Sequence, residues 1–344
     1  MSRNASTRSK RFSPMSDAGP IPSYRDVVDA ARRIAGPAVR TPLIESGTLG
    51  DRIGGRVLIK AEMLQRTGAF KFRGAWNRIS QLTGQERRAG VVTFSSGNHG
   101  QAVAAAARLS GIAATVVMPQ TAPDIKIEST RRHGAEIVLY DPATELRETI
   151  AGAIAHRTGA TLVPPYDDPR IIAGQGTVGL EIADQAEALG ARIDVVLVPC
   201  SGGGLVAGCA IVLKQRFPDA DVHAVEPVGF EDTARSLALG RRETNDAGGV
   251  TFCDALRVPT PGELTFAINR RLLAGGLAVG DDMTGAAMRT AFRDLKLVVE
   301  PGGAIALAAA LFGLVPLKGR TVAVVCSGGN VDPATFAEVL SQPD

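Results

Sequence analysis

The sequence predicts a mostly parallel α/β protein, long enough for two lobes sharing one cleft, and three observations bear on it. Short apolar runs repeatedly pass through a Gly/Ser turn into an alanine-rich, helix-like stretch, which is the rhythm of parallel strands joined by crossover helices. At 344 residues with 45% hydrophobic content, the chain is long enough to bury a core in each lobe. The segment Pro164-Pro165-Tyr166-Asp167-Asp168-Pro169 is dense in turn residues and offers a boundary.

In chain order, Val91–Phe94 reads as a strand leading through SSGNHG into QAVAAAARLSG. Ala113–Met118 and Glu136–Tyr140 follow as further β-rich runs. Ile193–Pro199 leads through CSGGGLVAG into CAIVLKQRF, Val222–Val225 comes next, and Thr321–Cys326 ends in SGGN. Ligands in such sheets sit beyond the carboxyl ends of the strands, where these glycine-rich turns fall. No internal repeat is evident. Residues 1–20, MSRNASTRSKRFSPMSDAGP, are polar and basic without an apolar stretch, so they read as a disordered tail rather than a secretory signal, and Met15 is an alternative start.

Several function classes are excluded. The 38 basic and 35 acidic residues nearly balance, and no basic tract is interleaved with aromatics, so nothing suggests nucleic-acid binding. Cys200, Cys209, Cys253 and Cys326 are scattered without a CxxC pair, as suits a reduced cytoplasmic protein. The four histidines lack metal-ligand spacing, and no apolar run approaches the length of a membrane span.

The chemistry-bearing segments begin with Thr67-Gly68-Ala69-Phe70-Lys71-Phe72-Arg73-Gly74-Ala75. Lysine is scarce, confined to positions 10, 60, 71, 126, 214, 296 and 318, so its setting is informative. Lys71 stands at the start of a helix-like stretch between two phenylalanines. A helix N-terminus and apolar neighbours both favour the neutral amine that attacks a carbonyl. An arbitrary lysine would more often be a solvated one snorkelling past the aromatics. Ser201-Gly202-Gly203-Gly204-Leu205 follows a β-rich run and precedes a helix, an arrangement whose backbone N–H groups can close on an anion. No Lys-[Ser/Thr] follows, so it is not a nucleotide P-loop. Gly174-Gln175-Gly176-Thr177-Val178-Gly179 matches GxGxxG, but turn residues precede it and no acidic residue lies about twenty positions on, so the dinucleotide reading fails. It reads instead as a helix N-terminus packed closely on a neighbour. Ser95-Ser96-Gly97-Asn98-His99-Gly100 offers hydroxyls and backbone donors for a carboxylate and an amide for a phenolic oxygen, or serves only as a helix cap. No GxSxG elbow accompanies it.

Taken together, TGAFKFRGA, SSGNHGQAVA, AGQGT, SGGGLVAG, VEPGGA and SGGNVD stand in the order found in the fold-type II pyridoxal-phosphate enzymes. The chain resembles their serine/threonine dehydratase and serine racemase group from about Pro22 to about Asp332. The resemblance implies a tryptophan synthase β-like architecture of mostly parallel open sheets flanked by helices. It places a small domain at 86–167 and a large cofactor domain at 21–85 and 168–344. It implies that Lys71 carries pyridoxal 5′-phosphate as a Schiff base and that Ser201, Gly202, Gly203, Gly204 and Leu205 hold its phosphate. Asn98 would bond its 3′-oxygen, and Ser327 would face its pyridine nitrogen. Ser95, Ser96 and Asn98 would receive the substrate carboxylate, with Arg147 near the substrate entrance. Glu226, the Phe230 carbonyl and Asp232 resemble a loop that binds Mg²⁺ or Ca²⁺, an oxygen-only set suited to a hard cation.

The activity so implied is elimination of water from a small hydroxy-amino acid, L-threonine or L-serine first, giving a 2-oxo acid and ammonia. Lys71 would remove the α-proton, and Ser96 would relay a proton on the opposite face if racemisation accompanies elimination. Serine racemase and 3-hydroxyaspartate dehydratase are alternatives on the same fold; Arg147 could pair with a second carboxylate in the latter. A non-enzymatic amino-acid-binding protein is the alternative from another class, separable by borohydride trapping at Lys71. A homodimer is expected from the family.

Overall fold

The computed structural model describes residues 20–95, 97–122, 124–246 and 248–343, so the expected tail over 1–20 falls outside them except for Pro20. In chain order the strands are β1 (Leu43–Glu45), β2 (Arg56–Ala61), β3 (Val91–Phe94), β4 (Ala114–Pro119) and β5 (Glu136–Tyr140). Then come β6 (Thr161–Leu162), β7 (Val195–Pro199), β8 (Asp221–Pro227), β9 (Gly275–Val279) and β10 (Thr321–Cys326). They form a six-stranded sheet ordered β1-β2-β10-β7-β8-β9 and a four-stranded sheet ordered β5-β4-β3-β6. Every pairing is parallel except β1 with β2. The smaller sheet takes all its strands from residues 91–162, and the larger takes strands from both sides of that segment.

The central strands β7 and β10 read as continuous apolar runs because helices cover both faces of the larger sheet. Side chains of one strand alternate between those faces. Ile59, Leu197, Val322 and Val324 join the helix Pro301–Leu311 in one core. Leu58, Val196, Val198, Ala323 and Val325 join the helices Pro169–Ala188 and Gly204–Arg216 in the other. Such parallel sheets place every strand's carboxyl end on one side, and that side faces the cleft described below.

The GxGxxG match is a packing device inside the helix Pro169–Ala188. A Cβ at Gly174 would lie 2.6 Å from Gly74 Cα, at Gly176 2.8 Å from the Gly208 carbonyl oxygen, and at Gly179 2.9 Å from Cys209 Cα. Close packing is as expected from sequence, but its place is not the helix N-terminus. Asp168 caps that end, accepting hydrogen bonds from the Arg170 and Ile171 amides at 2.8 and 2.9 Å, with Pro169 in the first turn.

Beneath the helix Lys71–Ile79 lies a buried group of four charges. Arg73 donates to both oxygens of Glu62 at 2.8 Å and to Glu181 at 2.7 and 2.8 Å, and Lys60 donates to Glu181 at 2.7 Å. Two cations and two anions balance, so the desolvation of each is offset by a hydrogen-bonded partner. The network ties the helix that begins at Lys71 to β2 and to the helix Pro169–Ala188.

Candidate active site

The carboxyl ends of both sheets open on a cleft of about 370 Å³. It is lined by Lys71, Ser95, Asn98, Arg147, Ser201, Gly202, Gly203, Gly204, Leu205 and Ser327, residues spread over 250 positions of sequence and gathered here. Ser96 lies outside the described residues. Glu226, Phe230 and Asp232 do not line the cleft and form a separate group.

Lys71 is the first residue of its helix. The preceding Phe70 amide donates to the Ser327 carbonyl at 3.1 Å, which ties the lysine to the loop after β10. The Lys71 Nζ donates to the Pro165 carbonyl at 2.8 Å and lies 5.1 Å from the Phe70 ring centre. Among the described residues no carboxylate pairs with it, and loss of water pulls its ammonium down to about 8. His99, in the same wall, is pulled down to about 3 by burial and then by the Lys71 charge, so it stands neutral, with Nε2 3.1 Å from the Val163 carbonyl.

The glycine run is shaped from behind. Thr265 Oγ1 donates to the Gly202 carbonyl at 2.6 Å, and Asn269 Nδ2 donates to the Gly203 carbonyl at 3.5 Å. Gly203 has φ +91°, which a side chain would strain. The helix Gly204–Arg216 then starts with no side-chain cap, so its first N–H groups are left for a ligand at the positive end of the helix dipole. The Tyr166 ring packs on Gly202 so closely that a Cβ there would overlap it. Ser201 Oγ is buried without a hydrogen-bond partner. An unpaired hydroxyl beside an uncapped helix and an anchored glycine turn is a cradle for an anion such as a phosphate.

Thr265, Asn269 and Tyr166 were not singled out from sequence. Asp167 explains the first two: its carboxylate accepts from the Glu263 and Thr265 amides at 2.9 and 3.0 Å and so seats the helix Glu263–Leu272 behind the glycines. The PPYDDP segment carried a signal, its turn chemistry, that pointed to a boundary and not to the cleft.

Glu300 is the other addition. Its carboxylate accepts from Asn98 Nδ2 at 2.6 Å, while Asn330 Nδ2 donates to Asn98 Oδ1 at 2.8 Å and to the Thr67 carbonyl at 2.7 Å. One chain of hydrogen bonds thus joins the loops of TGAFK, SSGNHG, VEPGG and SGGN. Burial, with the Asp254 charge adding to it, raises Glu300 to about 7.

Toward the mouth, Arg147 stacks 5.3 Å from the Phe94 ring centre and donates to Glu148 at 2.8 Å. Lys126 pairs with Asp254 across the cleft, and Arg257 donates to the Thr251 carbonyl.

In the separate acidic group, the Glu226 oxygens accept from the Thr233 and Ala234 amides at 3.0 and 2.8 Å. Asp232 Oδ1 accepts from Asn245 at 2.6 Å, and its Oδ2 is buried with no partner. Burial raises Glu226 to about 8, with Asp232 adding to it, and raises Asp232 to about 6. Among the described residues no cluster of three or more His, Cys, Asp or Glu side chains is arranged for a metal. Both Glu226 oxygens are thus taken by backbone amides, and Asp232 Oδ2 is the carboxylate oxygen left open to a further oxygen-seeking ligand.

Comparison with known proteins places this geometry. The profile described as "Pyridoxal-phosphate dependent enzyme" matches residues 34–328. The chain is 41% identical to an L-threo-3-hydroxyaspartate ammonia-lyase of Pseudomonas sp, over 93% of this chain and 99% of that one. It is similar to the structure of maize serine racemase, with TM-score 0.87, 38% identity, and coverage of 93% of this chain and 97% of that one. It is also similar to the structure of a T.th. threonine deaminase, with TM-score 0.85, 43% identity, and coverage of 90% and 99%.

Proposed function

Because the chain belongs to the pyridoxal-phosphate dependent enzymes, we propose that it is an ammonia-lyase that eliminates water from a small hydroxy-amino acid, L-threonine or L-serine first, to give a 2-oxo acid and ammonia. The observation that carries this reading is that a desolvated amine with no carboxylate partner among the described residues and an uncapped glycine-helix turn line one cleft. Pyridoxal phosphate, when bound, supplies the electron sink that weakens the substrate Cα–H bond. The remaining work falls to residues of the chain. Gly202, Gly203, Gly204 and Leu205 bind the phosphate through backbone N–H groups, with Ser201 Oγ as a further donor. Asn98 faces the phenolic oxygen. Ser327 offers a hydroxyl, not a carboxylate, to the ring nitrogen, so that nitrogen is left largely unprotonated. Ser95, Ser96 and Asn98 orient the substrate carboxylate. Lys71, when free and neutral, would take the α-proton at Nζ, a task to which a value of about 8 suits it.

A second substrate reading, 3-hydroxyaspartate, is favoured by Arg147, a cation that lines the cleft beside Phe94 and, among the described residues, shares its charge with Glu148 alone. Arg147 can present a planar fork to a β-carboxylate. Whichever substrate is taken, we also propose that Glu226, the Phe230 carbonyl and Asp232 would hold Mg²⁺ or Ca²⁺, a reading supported by the orphaned Asp232 Oδ2. We also propose the division into a lobe of residues 86–167 and a lobe of 21–85 with 168–344, a homodimer, and a cytoplasmic setting. The confinement of the smaller sheet to residues 91–162 supports the first of these; the homodimer rests on family likeness, and the cytoplasmic setting on four free cysteines. Among the described residues no helix is long and apolar enough to cross a membrane.

The test is a panel of hydroxy-amino acids in which 2-oxo acid release and enantiomer composition are followed together, with and without chelator. Release from threonine and serine supports the first reading, and preferential release from 3-hydroxyaspartate supports the second. No 2-oxo acid from any member, with the cofactor bound, would end both.

A further inference from the structure

The hydrogen bonds around Asn98 fix which of its atoms can face the cleft. An ionised carboxylate only accepts, so the Glu300 Oε1 contact at 2.6 Å assigns the NH₂ end of the Asn98 amide to that side. The Asn98 carbonyl oxygen is engaged from the other side by Asn330 Nδ2 at 2.8 Å, and Asn330 is itself held by the Thr67 carbonyl at 2.7 Å. What remains for the cleft is the second N–H of the amide, a donor. A protonated Glu300 no longer forbids the amide oxygen on its side, which leaves the Asn330 contact alone to oppose a turnover that would present an acceptor. Glu300 is 4% exposed, lines the same cleft, and lies so close to Gly328 that a Cβ there would overlap its Oε1, so it has little room to reorient.

We propose that Glu300 is the positioning residue that holds Asn98 as a hydrogen-bond donor toward the phenolic oxygen of the bound cofactor, and that the charge on Glu300 sets this polarity. The proposal rests on the reading that Asn98 faces that oxygen. The charged and titratable groups around Glu300 are Asp254, which raises its proton affinity, and Lys126, which lowers it. Lys71 and neutral His99 line the same cleft. Above about pH 7 the carboxylate form dominates, and the donor orientation with it.

The test uses the holoenzyme and two readouts other than turnover: the ratio of the cofactor's visible absorbance bands, and the cofactor dissociation constant from fluorescence titration. Glu300→Gln keeps the size of the side chain but removes the charge that forces the amide's direction. At about pH 8 it should shift the band ratio and weaken cofactor binding about five-fold or more, the difference between a charge-assisted and a neutral hydrogen bond. The gap should narrow at about pH 6, where Glu300 of the unaltered protein is itself largely protonated. In an Asn98→Ala background the same substitution should change neither readout further. If Glu300→Gln does not fold, the pH dependence of the two readouts carries the test: both should change through about pH 7 in the unaltered protein and not in Asn98→Ala. Unchanged readouts at about pH 8, or an equal loss with and without Asn98, would overturn the proposal. If Asn98→Ala itself leaves both readouts unchanged, the assignment of Asn98 to the phenolic oxygen fails instead, which separates the two outcomes.

Discussion

Lys71 should react with pyridoxal phosphate far faster than any other lysine of this chain at neutral pH. Only the neutral amine attacks the aldehyde. With its value drawn from the ordinary 10.5 to about 8, roughly one Lys71 in eleven is neutral at about pH 7, against about one in 3,000 for an unperturbed lysine, an advantage of about 300-fold. The cause is desolvation without a compensating carboxylate, so the advantage belongs to the folded cleft. The assay mixes cofactor-free protein with pyridoxal phosphate, follows the visible band in a stopped-flow instrument from about pH 6 to 10, reduces with borohydride, and maps the labelled peptide. The rate should rise to a plateau with a midpoint near 8. Label should fall on Lys71 and be lost in Lys71→Ala. Lys60 is the informative control. Burial lowers it too, but it is held by Glu181 and fully enclosed, so it should stay unlabelled. A midpoint near 10, or label spread over several lysines, would refute the reasoning.

Other substitutions probe neighbouring parts. Arg147→Ala should lower kcat/KM for 3-hydroxyaspartate about 10–100-fold while leaving threonine within about three-fold, because only the former has a second carboxylate to lose; equal losses would remove the second substrate reading. Gly202→Ala should raise the cofactor dissociation constant about ten-fold or more, since its Cβ would overlap the Tyr166 ring, and Tyr166→Leu in the same chain should restore part of the loss. Arg73→Met strands Glu62 in the core, leaves Glu181 to Lys60 alone, and should cost about 3–5 kcal/mol in denaturant unfolding, far more than a surface arginine would. In the cofactor-free protein Glu300 has a folded value above its unfolded one. Stability from this group is therefore lost as pH rises from the ordinary 4.5 through about 7, at most ~3 kcal/mol, and Glu300→Gln should flatten that part of the stability profile.

What could be read from sequence follows from how local each signal is. The strands β3, β5, β7 and β10 are short apolar runs closed by glycine or proline chemistry, and such runs announce themselves. The strand β2 does not, because its apolar run is broken by Lys60, a charge the sheet buries against Glu181 and Gln185 on a helix more than a hundred residues away. The edge strand β9 opens on two glycines and is largely half-buried, so it lacks the composition of a buried strand. The same contrast governs the site. Lys71 and the glycine run carry their chemistry in adjacent residues, and their glycines and aromatics mark them out before any fold is known. Thr265 and Asn269 act only because Asp167, a hundred positions earlier, caps the start of their helix behind the glycines. Glu300 was visible in sequence only as part of VEPGGA, and its reach to Asn98 spans 202 positions. First contacts to a ligand come from loops with distinctive local composition. The groups that set the direction of those contacts are ordinary polar residues whose partners exist only once the chain is folded, and they are where sequence patterns are silent.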